Sequence, residues 1–211
     1  MEVGKMTLLK NLHETFGTVV NYLFLNLLWL VFSLPVVTIP ASATAMFGVI
    51  NYWKNTGEED VIRPFITEFK RYFFSSQKVG VIFLGLGLIP LTGFFYVLPK
   101  LNNFENMVLI LLISFTLIYL LTTVFIFPAL SRNDHVNSFY TIRYAFLVSI
   151  SQFHIAMIAL AVTAAMILVV YVFPITLFIG SSMALVINLL FTRALDKVDL
   201  LKQKYGLAEE V

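Results

Sequence analysis

An all-α, polytopic transmembrane helix bundle is the fold class this sequence predicts, on three observations. Of its 211 residues 59% are hydrophobic, only 12% are charged, and the apolar residues fall in runs long enough to cross a bilayer. A soluble domain of this size could not hide so much apolar surface, so lipid is its solvent and the bilayer its first partner. The chain reads as a single transmembrane domain over 1–211, with an inner-loop segment at 54–78 and a short tail at 193–211.

Crossing a hydrocarbon core of about 30 Å takes ~20 residues of helix. Five segments meet that requirement: 16–37, 79–98, 106–130, 145–170 and 175–192. The first is preceded by Lys5 and Lys10 and followed by Ala41-Ser42-Ala43, which imitates a signal peptide with its cleavage site. Its apolar stretch is long for that role, and cleavage would strand Lys54, Arg63, Lys70, Arg71 and Lys78 outside. It is therefore read as an uncleaved span.

Residues 40–53, PASATAMFGVINYW, are apolar but short, making only ~21 Å of helix. Ala41, Ala45 and Gly48 share one face, where small side chains permit close approach of another helix or a partner. Pro35 and Pro40 bracket the preceding Val-Val-Thr-Ile and each disfavours helix at the residue before it, which predicts a bend between the first two helices. If 40–53 returns the chain to its starting side, thirteen of the fourteen basic residues lie inside and Lys100 alone lies outside. If it does not cross, the division is eleven against three. The charge rule therefore favours six helices with both termini cytoplasmic.

Next comes the polar stretch 54–78, where Asn55-Thr56-Gly57 and Glu58-Glu59-Asp60 read as a turn entering an acidic helix start. Phe65, Phe69, Tyr72 and Phe73 then recur at helical spacing, which predicts an amphipathic helix at the inner membrane surface and a candidate docking face. A solvated linker helix feeding the next span is the simpler alternative. RYFF at 71–74 and RYAF at 143–146 both sit where an inner loop enters a span, and interfacial anchoring accounts for them without a repeat.

The five long spans contain no Asp, Glu, Lys or Arg. Proton- and ion-coupled carriers place such groups near the midplane, so a secondary active transporter is disfavoured. His154 lies inside the 145–170 span, and Asn21, Asn26, Gln152 and Asn188 are the other intramembrane polar groups noted. Interhelical hydrogen bonds worth about 1 kcal/mol each are their expected role. With no cysteine there is no disulfide, thiol nucleophile or thiolate metal site. HExxH, GxSxG and Walker patterns are missing, and Asp134 beside His135 is a solvated turn rather than an acid–base pair. No catalytic, metal or cofactor site is expected. A net charge of +2 gives no footprint for nucleic acid.

Asn26 to Ala45, NLLWLVFSLPVVTIPASATA, resembles the signature of the YesL family of bacterial integral membrane proteins. FITEFKRYF at 65–73 and FPALSR at 127–132 add to the likeness. That family has no established function, and its genes often lie beside carbohydrate-uptake ABC transporters in Gram-positive bacteria. The resemblance implies a non-enzymatic accessory subunit of such a transporter, in the cell membrane. A stand-alone channel or small-solute carrier is the alternative.

Overall fold

The computed structural model describes residues 2–97, 103–132, 138–172 and 180–204. Among them the chain is helical throughout, as seven α-helices joined by turns. These are α1 (Glu2–Ser33), α2 (Ile39–Thr56), α3 (Ile62–Val97), α4 (Asn103–Leu130), α5 (Ser138–Ser151), α6 (Phe153–Val172) and α7 (Gly180–Lys204). The surface of the bundle is apolar: Val19, Leu23, Leu84, Ile110 and Leu168 are all exposed. Only lipid accommodates such a surface, and the protein is a membrane protein.

The two prolines break the chain as expected. Ser33 ends α1, a 3₁₀ turn covers Val36–Thr38, and Pro40 sits in the first turn of α2, where its missing N–H costs nothing. Thr38 closes the bend by donating its hydroxyl to the Phe32 and Pro35 carbonyls, at 2.5 and 2.7 Å. The apolar tip projects Leu34, Val36 and Val37, which are 79, 76 and 72% exposed. A turn with its backbone groups satisfied in this way can sit in hydrocarbon.

At its other end α2 stops at Gly57, whose φ of 71° is the left-handed conformation that suits glycine, and whose N–H bonds the Trp53 carbonyl at 3.0 Å. Trp53 Nε1 then donates to the Asp60 carbonyl at 2.7 Å, and α3 returns antiparallel to α2. Their faces are close because they are small. A Cβ on Gly48 would come within 2.7 Å of Glu68 Cγ, and one on Gly80 within 2.7 Å of Pro40 Cγ. Between these points the Ser76 hydroxyl donates to Thr44 Oγ1 at 3.0 Å. Every residue of α2 from Thr44 to Ile50 is buried, so α2 is the central helix of this half.

Register decides how far the α1–α2 hairpin reaches. Val36–Thr56 is, at 21 residues, long and apolar enough to cross a membrane. Yet α2 runs beside the first half of α3, with Pro40 level with Gly80, and the second half of α3 pairs with α4 instead. There the Tyr119 hydroxyl donates to the Phe83 carbonyl at 3.0 Å, and Leu112 packs on Gly93. Beyond Gly80 the helix continues to Val97, ~26 Å further. The hairpin tip thus lies part of the way along α3 rather than at its far end, while Val36–Thr56 keeps the length and apolarity for the crossing that the charge count favours.

Three further elements differ from the sequence reading. The amphipathic stretch at 54–78 is not a separate interfacial helix, because Ile62–Val97 is one helix of 36 residues, ~54 Å long and far longer than a hydrocarbon core is thick. Its aromatic stripe faces protein: Phe32 meets Phe65 and Phe69 edge-on at 5.3 and 5.0 Å, and Phe65 and Tyr72 are buried. Second, the 145–170 span is broken at Gln152, with α5 and α6 at 103°. At the break Ser149 and Ser151 donate to the Ala145 and Val148 carbonyls at 2.7 and 3.2 Å, and the Gln152 carbonyl accepts from Ile155 and Ala156 N–H as α6 starts. Third, α7 begins at Gly180 and runs past 192 to Lys204, with Ser181 tied to the Tyr22 carbonyl at 2.8 Å. Residues 175–179 of that expected span lie outside the described residues.

Candidate functional site: a charged cleft at one end of the bundle

Where α2 ends, α3 begins and α4 terminates, the three helices enclose a polar cleft of about 530 Å³. α2 contributes Asn51, Tyr52 and Lys54, α3 contributes Glu68, Arg71 and Tyr72, and the turn after α4 contributes Ser131 and Arg132. The Gly57 turn brings Lys54 and Arg71 to the same end, and the close approach at Gly48 brings Glu68 against α2.

Arg132 is the centre of the arrangement. Its Nη2 donates to Asn188 Oδ1 at 3.1 Å, to Asn51 Oδ1 at 3.3 Å and to Thr192 Oγ1 at 2.5 Å. Asn188 Nδ2 donates in turn to Asn51 Oδ1 at 2.9 Å, and Asn51 Nδ2 to Ser131 Oγ at 3.0 Å. α2, α4 and α7 are therefore joined by one hydrogen-bonded network. The Phe191 ring covers the guanidinium at 5.4 Å, a cation–π contact. Burial pulls the Arg132 guanidinium below its usual range, while Tyr144 and Asp196 act in the opposite direction. An arginine stays protonated through such a shift, so a full positive charge sits among neutral partners. On the α3 wall, Glu68 and Arg71 form an ion pair at 3.8 Å.

The residues singled out from sequence are distributed unevenly around this site. Gly48 lines the cleft and Asn188 belongs to its network. Ala41, Ala45 and Phe65 are fully buried within the chain, which leaves them no surface for a partner, and Phe69 and Phe73 continue the stacked row. Pro40 packs against Gly80, and Pro35 lies on the exposed tip. Asn26 is fully buried beside Gly180. His154 is not deep within a span: the break at Gln152 places it in the first turn of α6, exposed, 3.1 Å from Lys197 Nζ. Asp134 and His135 lie outside the described residues. Among the described residues no group of three His, Asp or Glu is placed to hold a metal.

Asn51 and Arg132 were missed by sequence reasoning. Asn51 had a signal, being the polar residue that interrupts the apolar run of 40–53, as Asn188 interrupts its own. Arg132 read as an ordinary loop cation because nothing in FPALSR shows that α7 folds back over it. A second cavity, of about 510 Å³, lies between α1, α2, α4, α6 and α7, and among the described residues no charged side chain lines it.

Residues 22–94 match a family model described as "Protein of unknown function, DUF624". That segment runs from α1 to near the end of α3 and holds two walls of the cleft. The chain is similar to the uncharacterized protein YesL of Bacillus subtilis (strain 168), at 27% identity over 198 residues, covering 88% of this chain and 90% of YesL. It is also similar to the uncharacterized protein YteU of the same organism, at 24% identity over 152 residues, 70% of this chain and 68% of YteU. No solved structure matches. The resemblance carried by residues 26–45 is thus borne out, and this helical membrane protein is similar to YesL over most of both chains.

Proposed function

We propose that this protein is a non-enzymatic accessory component of the cell membrane that associates with a carbohydrate-uptake ABC transporter, its cleft end facing the cytoplasm. One observation carries the reading most: a preformed charged cleft stands at one end of a bundle whose long spans hold no Asp, Glu, Lys or Arg. Such a molecule has polar groups for recognition at one surface and none within the membrane for coupling transport to a gradient. The orientation is supported by charge, since Lys54, Arg63, Lys70, Arg71 and Arg132 cluster around the α2–α3 turn and the end of α4. The transporter as partner rests on the gene context implied by the YesL resemblance.

The test is affinity purification of the tagged protein in mild detergent from cells that express the neighbouring transporter. Stoichiometric transporter subunits in the eluate, with sugar uptake reduced on deletion, are expected. Absence of those subunits with uptake unchanged rejects the reading, and solute flux through liposomes holding this chain alone favours a channel or carrier instead.

A further inference from the structure

Away from the cleft, three helices leave a groove on the lipid-facing surface. Leu86 of α3, Phe115 and Ile118 of α4, and Phe139 and Phe146 of α5 line a cavity of about 300 Å³, and each of them is exposed. The groove therefore opens sideways from the bundle. Its hydroxyls are already committed, since Tyr119 donates to the Phe83 carbonyl at 3.0 Å and Thr122 to the Ile118 carbonyl at 2.9 Å. What remains is an apolar channel with one charge in its wall, Arg143. Arg143 is exposed, and among the described residues no carboxylate lines the groove and none forms an ion pair with this arginine.

An arginine where helices leave a membrane is ordinary and needs no ligand. Arg143 differs because it shares a wall with an apolar groove that has room for part of a hydrocarbon chain. A second copy of the chain would fill such a groove with a helix, but its five long spans hold no Asp or Glu to meet the arginine. Covering an unpaired cation with an apolar helix is costly. A phospholipid of net negative charge supplies both parts. Its acyl chain suits the groove, and its phosphate suits a guanidinium that reaches the headgroup level along its own apolar stem.

We propose that the groove between α3, α4 and α5 holds an acyl chain of an anionic phospholipid whose phosphate pairs with Arg143. The site belongs to the isolated protein and its test involves no transporter, so it fails or stands separately from the accessory role.

The experiment places the full chain in nanodiscs of phosphatidylcholine and phosphatidylglycerol in equal amounts, releases it into mild detergent and measures the retained lipid by native mass spectrometry. Phosphatidylglycerol is expected to stay bound, enriched about fivefold over phosphatidylcholine. Arg143→Gln, at an exposed position, should abolish the preference, and Arg143→Lys should keep most of it. Leu86→Phe adds bulk from the exposed side of the groove and should reduce retention of both lipids. Lys70→Gln removes an exposed cation outside the groove and should leave the preference unchanged. Retention in the bulk ratio, or the same preference in Arg143→Gln as in Lys70→Gln, overturns the site. A dimer that Leu86→Phe dissociates also overturns it, by giving the groove to a second copy.

Discussion

Replacing Arg132 with methionine is expected to cost the folded protein about 2–3 kcal/mol, the larger of two stability effects that the packing of α2 predicts. The substitution removes three charge-assisted hydrogen bonds at once, to Asn188, Asn51 and Thr192. Asn51 Oδ1 keeps its bond from Asn188 Nδ2, and Thr192 keeps its own donation to the Asn188 carbonyl. Asn188 Oδ1 keeps no partner among the described residues, and an orphaned buried acceptor costs ~1–3 kcal/mol. Relief from burying a charge offsets part of the loss, which is why the total stays below the sum of three bonds. A double-mutant cycle in reversible detergent unfolding checks this. Asn188→Leu added to Arg132→Met should cost less than the two single changes together, by about 1 kcal/mol or more. Strict additivity would mean that the network does not act as a unit.

Gly80→Ala is the second large effect, expected to destabilise by about 2 kcal/mol. Its new Cβ would come 2.7 Å from Pro40 Cγ and 3.3 Å from Pro40 Cβ, and a proline ring has no rotamer with which to move aside. α2 must then shift from α3, against the Ser76–Thr44 hydrogen bond and the aromatic row of Phe32, Phe65 and Phe69. Gly85→Ala is the control, because nothing lies within 4 Å of a Cβ there, and its effect should stay within about 0.5 kcal/mol. Gly48→Ala falls between them, since the crowding atoms belong to the flexible Glu68 side chain. Melting temperatures of the three variants in one detergent give the order. Equal effects of Gly80→Ala and Gly85→Ala would contradict the close α2–α3 contact.

What could be read in the sequence was local. Prolines at 35 and 40 announce a bend because their effect on backbone dihedrals needs no neighbour, and the bend is present. Ala41, Ala45 and Gly48 announce a close helix contact for the same reason, and all three are buried. Interactions between distant segments were not legible. The Phe65–Phe73 stripe has the same spacing whether it meets headgroups or Phe32, and only the fold shows that it meets Phe32. The break at Gln152 falls inside a run apolar enough to read as one continuous span, and nothing in that spacing reveals it. Arg132 became a site only when α7 brought Asn188 and Thr192 beside it, 56 and 60 residues along the chain.

The cleft exists because the α1–α2 hairpin packs on the first half of α3 and leaves the second half to α4. That register is open to one measurement, made clean by the absence of native cysteines. Single cysteines at Thr56, Val37 and Asn103 are labelled in intact cells and in inverted vesicles with a membrane-impermeant maleimide. Thr56→Cys should react from one side only and Asn103→Cys from the other, whereas Val37→Cys, on the apolar tip level with mid-helix α3, should react from neither until the membrane is dissolved. Labelling of Val37→Cys from the same side as Asn103→Cys would mean that the hairpin crosses completely, and would contradict the register on which the cleft is built.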